Sequence, residues 1–271
     1  IQSKFLTLQP VQERRPFIFY QGHIPAFLWI ILRRAFQLPP IQKEYEILFE
    51  RGIDPSLRTG EVHQNSVDTV AKITSSDVIY PTSEEISTYE YKVRKESSTL
   101  IQKTCSQGLD SSNIRPFLLG LEHEYMHQET LMYMIQKTPL EWFRLENIQE
   151  CLTRTIPDNL NFDIQWMRVP SNQIYLGRHF AHDNNYEYVW DNEYGAQYID
   201  MPECWMCRYP ITNGQFLEFV EDDGYQNSEF WSEEHWEFIQ KKEIRSPENW
   251  LFRDDTWWVR FPCREVAVHK V

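Results

Sequence analysis

The feature that most constrains this chain is a pair of histidines four residues apart inside a predicted helix. His123 and His127 lie within residues 120–134, which read GLEHEYMHQETLMYM. One helical turn brings both imidazoles onto the same face, and that spacing is typical of metal ligands. The pattern therefore predicts a metal-binding face on a rigid element.

Flanking signals support the helix. Asn113 is a candidate N-cap, Pro116 fits a first turn, and Pro139 lies just past the expected end. Apolar residues recur at helical spacing between these signals, at Phe117, Leu118, Leu121, Met134 and Ile135.

The local motif His-Glu-x-x-His admits three interpretations. In a zinc hydrolase, Glu124 would be the general base and a third ligand would follow downstream. The extended protease motif needs a glycine and then a histidine where this chain has Thr130 and Tyr133. The plainest interpretation is a pair of solvated or core-bonded histidines, and the third is a different metal site.

A second histidine context lies far upstream. His23 falls within residues 15–29, which read RPFIFYQGHIPAFLW. We expect it at the start of an apolar helix over residues 24–36, with Pro25 in the first turn. A helix opening with the capping-box pattern of Thr82 and Glu85 is predicted to run to residue 103. Such helices can bring ligands together from different walls of a bundle.

The chain combines a histidine at one helix start with the motif His-x-x-x-His-x-Glu on a later helix. This combination resembles the pattern of the non-haem iron sulfoxide synthases of ergothioneine and ovothiol biosynthesis. In that family a DinB-like helical bundle holds iron through three histidines. The resemblance implies that His23, His123 and His127 bind Fe(2+). We also expect Glu129 to orient a ligand histidine through a hydrogen bond. The resemblance assigns no catalytic acid in this chain.

The second half of the chain resembles the other half of the same family. The phrases VPSNQIYLG, WDNE, YPITNGQFLEFV and DDGY, between residues 169 and 225, are similar to its formylglycine-generating-enzyme-like (C-type-lectin-like) domain. The expected fold class is thus α plus α+β, with a DinB-like bundle over residues 1–150 and the amino-terminal part of the second domain over residues 160–271. Both ends are expected to be incomplete. In the family, a full first helix of the bundle precedes the stretch that matches residues 16–23, and the second domain continues past the match to residues 261–271 and carries a catalytic tyrosine there.

The implied reaction is the iron(II)- and oxygen-dependent formation of a carbon–sulfur bond between a cysteine-type thiol and the imidazole of a histidine betaine, giving a sulfoxide of the ergothioneine type. Three alternative functions stay open. They are an ovothiol-type 5-histidylcysteine sulfoxide synthase acting on histidine, a non-catalytic structural homologue and a zinc hydrolase. One departure concerns the substrate. The position before the second helix histidine is commonly a glutamine that helps to hold the betaine, and here it is Met126.

Charge and cysteine content narrow the partners and the compartment. The chain has 27 Lys and Arg against 40 Asp and Glu, a formal net charge of −13. This balance argues against nucleic acid and anionic membranes as partners and leaves small molecules. Because the five cysteines are an odd number without a framework, we expect reduced thiols and a cytoplasmic protein.

Three further patterns are interpreted as structural. Cys204 and Cys207 are expected in a strand over residues 197–211, and Thr212 or Asn213 is expected to cap the helix that follows. Residues 57–81, which include His63, are predicted to form a loop, and residues 139–157 a linker. A cluster of five tryptophans is expected mostly in the core, with one or two members reaching a cleft. The cluster comprises Trp231, Trp236, Trp250, Trp257 and Trp258.

Overall fold

The chain folds into two compact units of different architecture. A computed structural model describes residues 1–11, 14–50, 78–143, 163–179, 188–261 and 264–268. The first unit comprises Ile1–Phe143 with Phe180–Asn192, and the second comprises Arg144–His179 with Glu193–Val271. The first is helical and the second combines helices with small antiparallel sheets, so the chain is mixed α/β.

The described part of the first unit contains four α-helices: α1 (Phe17–Phe36), α2 (Lys43–Phe49), α3 (Ser83–Gln107) and α4 (Ser111–Lys137). Helix α1 packs against each of the other three and lies at the centre of the unit. The core of the unit is made of apolar side chains from these helices: Phe17, Ile18, Phe19, Tyr20, Ala26, Trp29, Ile30, Leu32, Phe49, Ile86, Tyr89, Val93, Phe117 and Met134.

Helix α1 begins earlier than the sequence predicts. Its N-cap is Pro16, so His23 and Pro25 lie well inside the helix and not at its start. A proline inside a helix removes a backbone hydrogen bond and costs about 3 kcal/mol. The first turns bury Phe17, Ile18, Phe19 and Tyr20 almost completely, and this apolar burial outweighs that cost. The earlier start is what places His23 in the core.

The helix caps confirm one prediction and correct another. Thr82 and Glu85 form the predicted capping box at the start of α3. Helix α4 is capped by Asp110 and not by Asn113, which is the third residue of the helix and completes a second capping box. Asp110 is the stronger acceptor because its carboxylate takes both the Ser112 and Asn113 backbone N–H groups.

The second unit contains seven described strands in three sheets. Strand β1 (Trp166–Val169) pairs with β4 (Cys204–Cys207), and β2 (Asn172–Leu176) pairs with β3 (Gln197–Met201). The third sheet has the order β5 (Trp250–Arg253), β6 (Thr256–Phe261) and β7 (Arg264–Ala267), and all pairs are antiparallel.

The strand predicted over residues 197–211 is two strands, β3 and β4, which belong to different sheets. Pro202 lies between them and cannot donate to a sheet ladder, so the run is interrupted there. Cys204 and Cys207 lie in β4 as predicted and are free thiols.

Helix α5 (Asn213–Glu221) is capped by Thr212, and helix α6 (Glu233–Lys242) follows. Asn213 has a packing role, because its Oδ1 accepts a hydrogen bond from Trp250 Nε1 at 3.1 Å. Trp250 lies in the core of this unit with Val259 and Val268. Trp250 and Trp231 also line a cleft of about 870 Å³ within the unit.

Some predictions fall outside the described residues. They concern His63, most of the loop over residues 57–81 and most of the linker over residues 139–157. Among the helices that the structure describes, none has the length and apolar character needed to cross a lipid bilayer.

Candidate metal centre

Three buried histidines meet in the first unit. His23 comes from α1, and His123 and His127 come from successive turns of α4. The Nε2 atom of His123 lies 3.2 Å from Nε2 of His23 and 3.1 Å from Nε2 of His127. The side chains are 3–6% exposed, so the three nitrogens converge inside the protein. The structure thus brings together the three residues that the sequence singles out.

The spacing of these nitrogens fits a metal ion. At a metal–nitrogen distance of about 2.1 Å, two ligand nitrogens at about 90° to 110° around an ion are about 3.0–3.4 Å apart. Both measured distances lie in this interval. Three imidazoles on one side of an ion leave further coordination positions for other ligands, unlike a closed four-ligand structural site.

Two of the imidazoles are held in the tautomer that a metal requires. His23 Nδ1 donates a hydrogen bond to the backbone carbonyl of Phe49 at 2.6 Å. His127 Nδ1 lies 3.3 Å from Thr130 Oγ1, and the threonine hydroxyl donates to the His127 carbonyl at 3.2 Å. Because that hydroxyl proton is committed, Nδ1 of His127 is the donor to Thr130. Both Nε2 lone pairs are therefore free to bind a metal.

His123 is positioned by packing. Its ring stacks on the Phe27 ring, with centroids 3.5 Å apart and planes at 10°. Its Nδ1 atom is buried and has no hydrogen-bond partner among the residues that the structure describes. The Nε2 lone pairs of His23 and His127 both face Nε2 of His123. A cation bound to all three Nε2 atoms would satisfy them together and stabilise the arrangement.

The three imidazoles are neutral at neutral pH. Burial lowers the pKa of His23, and it lowers the pKa of His123 to about 2 and that of His127 to about 4. Charge on the neighbouring imidazoles lowers the last two further, and Arg14 also lowers the pKa of His127. The neutral ring is the form that binds metals, so protons compete weakly for this site.

The acidic residues of the motif lie outside this centre. Glu124 accepts two hydrogen bonds from the guanidinium of Arg94 on α3, at 2.7 and 2.9 Å. Glu129 is exposed, because residues two apart on a helix point in different directions from its axis. The Nδ1 partners that the structure describes are the Phe49 carbonyl for His23 and the Thr130 hydroxyl for His127. Glu129 was predicted for this role. Met126 is also exposed, at 42%.

Replacing Thr130 with valine tests the outer hydrogen bond of His127. The change keeps the size of the side chain and removes the acceptor of Nδ1, so we expect metal affinity to fall about tenfold. The matched control is Thr88→Val on α3, where the hydroxyl donates to the Glu84 carbonyl of its own helix. Metal titration of both variants provides the measurement. Equal affinities in the two would show that Thr130 does not support the site.

Replacing Glu124 with glutamine tests the hydrolase interpretation. The carboxylate is tied to Arg94 and not free to act as a general base, so we expect metal content to stay unchanged. The lost ion pair is half-exposed and should cost about 1 kcal/mol or less in the free energy of unfolding. Elemental analysis and urea unfolding provide the measurements. Stoichiometric zinc, together with peptide or ester hydrolysis that Glu124→Gln abolishes, would restore the hydrolase interpretation.

Sequence reasoning missed the backbone carbonyl of Phe49 and the positive charge of Arg14. Phe49 contributes only its backbone carbonyl. Every residue has such a carbonyl, so the residue type does not predict this role. Arg14 affects His127, which is distant in sequence, and a usable signal was present in the adjacent Arg14 and Arg15 shortly before His23.

No protein-family profile matches this chain. The chain is 30% identical to Ergothioneine biosynthesis protein 1 of Neurospora crassa over 79% of its length, covering 24% of that protein. It is 26% identical to the protein of the same name from Schizosaccharomyces pombe over 91% of its length, covering 32% of it. A stretch of 60 residues is 38% identical to Hercynine oxygenase of Mycobacterium tuberculosis, covering 22% of this chain and 14% of that protein. The chain therefore spans about a quarter to a third of the fungal relatives.

Proposed function

Because this chain belongs to the ergothioneine sulfoxide synthase family, we propose that it carries the iron site of an oxygen-dependent sulfoxide synthase. In the proposed reaction a cysteine-type thiol is joined to the imidazole of a histidine betaine. One oxygen atom of O₂ enters the sulfoxide. The other leaves as water with the thiol hydrogen and the ring hydrogen, so the two substrates together supply four electrons.

The observation that carries this proposal is the convergence of the three histidines, in which Nε2 of His123 lies 3.2 Å from Nε2 of His23 and 3.1 Å from Nε2 of His127. His23, His123 and His127 would hold Fe(2+), since imidazole suits iron and an incomplete ligand set leaves room for substrate and dioxygen. Iron(II), when bound, supplies the redox chemistry that lets dioxygen oxidise the sulfur. Zinc has no redox chemistry of its own, so a zinc ion in the same cluster could not serve this reaction.

The side chains around the histidines would keep the site dry and rigid. The Phe27 ring covers one face of His123, and Phe19 stacks on His23 with centroids 5.2 Å apart. The Phe49 carbonyl and Thr130 fix the ring orientations of the other two histidines. Such preorganisation limits the motion of a bound ion and excludes water from reactive species.

The relatives' names support a histidine betaine as the substrate, since those matched over short stretches are named hercynine oxygenase. The thiol partner is proposed as cysteine or a cysteine-containing peptide. An ovothiol-type reaction, with histidine in place of the betaine, is the nearest alternative because the two differ only in methylation of the substrate amine and in the ring carbon that is joined.

The finer description of the fold is also proposed. The first unit fits a DinB-like bundle over residues 1–150, and the second fits part of a formylglycine-generating-enzyme-like domain over residues 160–271. The helices α1–α4 and the short antiparallel sheets support these assignments. We further propose that the protein acts in the cytoplasm, consistent with the free thiols of Cys105, Cys204 and Cys207.

The test is an anaerobic reconstitution of the chain with iron(II), followed by addition of hercynine, cysteine and oxygen. We expect oxygen consumption that requires both organic substrates, and a product with the mass of their sulfoxide conjugate. Histidine in place of hercynine distinguishes the ovothiol-type from the ergothioneine-type reaction, and γ-glutamylcysteine in place of cysteine identifies the thiol substrate. A chain that binds iron but consumes no oxygen with any of these pairs would support a non-catalytic homologue.

A further inference from the structure

A positively charged cluster of polar side chains adjoins the histidine centre. Arg14 and Arg15 immediately precede α1, and Tyr20 lies in its first turns. The Arg14 guanidinium lies over the ring of Tyr133 on α4, 5.2 Å from its centroid. The ring of Tyr20 is 5.4 Å from that of His127. These side chains form a surface that reaches from the start of α1 to a candidate metal ligand.

Three polar atoms of this cluster are buried and make no well-formed hydrogen bond with the residues that the structure describes. They are the hydroxyl oxygens of Tyr20 and Tyr133 and the Nε atom of Arg15. Tyr20 is only 1% exposed, so its hydroxyl has no access to bulk water. Folded proteins satisfy about nine in ten buried polar groups, and an unsatisfied cluster indicates a missing water, ion or ligand.

The charge of the cluster favours an anionic occupant. Burial raises the pKa of Tyr20, while the charge of Arg14 and polar contacts with the Arg15 backbone and the Arg14 side chain oppose this rise, so the hydroxyl remains a donor at neutral pH. Arg15 opposes a similar burial-driven rise in the pKa of Tyr80. In the described part of the chain, no carboxylate pairs with Arg14 or Arg15. The chain as a whole has a net charge of −13, so this positive site is a local exception.

We infer that Arg14, Tyr20 and Tyr133 form a carboxylate-binding subsite beside His127, with Arg15 at its edge. Guanidinium and phenol groups donate strong hydrogen bonds to a carboxylate, and the guanidinium plane can stack on an aromatic ring while it does so. The inference rests on the proposed function, in which both the histidine betaine and the thiol substrate carry a carboxylate. Anchoring one of them here would hold its reactive end near the histidine Nε2 atoms.

Matched ligand pairs test this subsite without turnover. Calorimetric titrations of the iron(II)-loaded chain under anaerobic conditions would compare hercynine with its decarboxylated analogue, and cysteine with cysteamine. We expect the parent chain to bind at least one carboxylate ligand about 10- to 100-fold more tightly than its analogue. Arg14→Gln should remove this preference, and Tyr20→Phe should reduce it about fivefold. If Arg14→Gln loses the preference for hercynine over its decarboxylated analogue, the subsite binds the betaine. If it loses the preference for cysteine over cysteamine, the subsite binds the thiol substrate.

Two variants control for general effects on folding and charge. Arg34→Gln removes an exposed arginine of α1 that pairs with Glu50, and Tyr91→Phe removes an exposed hydroxyl of α3. Both should keep the preference of the parent. Because Tyr20→Phe removes only a hydroxyl that makes no well-formed hydrogen bond, its unfolding midpoint should match or exceed that of the parent.

The result separates the subsite from the proposed reaction. A carboxylate preference that depends on Arg14, in a chain that forms no sulfoxide, would keep the subsite and reject the reaction. Sulfoxide formation with equal binding of the carboxylate and decarboxylated ligands would keep the reaction and overturn the subsite. A preference that Arg14→Gln leaves unchanged would also overturn it.

Discussion

Replacing His123 and His127 together with alanine is expected to reduce the iron content of the chain from about one ion to background, because one imidazole cannot hold the metal alone. The parent should also unfold at higher urea concentration when iron(II) is added anaerobically. A ligand that binds only the folded state at 100 times its dissociation constant adds about 2.7 kcal/mol to the free energy of unfolding. The double variant should show no such increase.

Elemental analysis after anaerobic purification and urea unfolding with and without iron(II) provide the measurements. His235→Ala is the matched control, since His235 is exposed on α6 and bonds only within its own helix start. It should bind iron as the parent does. If the double variant retained stoichiometric iron, the metal would have to lie elsewhere and the proposed centre would be wrong. Stoichiometric zinc in the parent would instead point away from oxygen chemistry.

Replacing Gly22 with alanine is expected to damage both the fold and the metal site. An added Cβ would overlap the ring of Phe49, which is fully buried and packed against Phe19 and Tyr80. Overpacking of this kind costs about 1–3 kcal/mol in the free energy of unfolding, partly offset by the helix propensity of alanine. The carbonyl of Phe49 accepts the His23 Nδ1 bond, so we also expect metal affinity to fall about 10- to 100-fold.

Gly120→Ala provides the control for this change on α4. Its added Cβ would meet the terminal methyl of Leu28, a flexible side chain that can adopt another rotamer. The gain in helix propensity, about 1 kcal/mol, should therefore nearly balance the steric cost. Urea unfolding and iron titration of both variants are the measurements. Equal stability and equal iron affinity in the two would mean that α2 moves freely and that Phe49 does not support His23.

Much of the first unit can be predicted from local patterns. The capping box of Thr82 and Glu85, the helical stripe of α3 and the four-residue spacing of His123 and His127 all act over one or two turns. Such interactions depend on neighbouring residues, so their signals survive in the sequence. The same holds for Thr212, which caps α5 as expected.

Predictions were weaker where local signals competed with burial. Pro25 suggested a helix start, yet α1 begins at Phe17 because its first turns fill the core. The aromatic run from Gln197 suggested one strand, yet Pro202 divides it between two sheets. In both cases a weak local preference gave way to packing or to a missing backbone donor.

The spacing of His123 and His127 on α4 marks two candidate metal ligands in the sequence, and the family resemblance adds His23. The surroundings of these three histidines depend on how the helices pack. The partners of His23 and Glu124 are 26 and 30 residues away, and Arg14 reaches His127 from the segment before α1. Contacts of this range arise when the helices of the first unit pack together around α1. They join side chains and carbonyls from separate segments, so no periodic pattern in the sequence marks them.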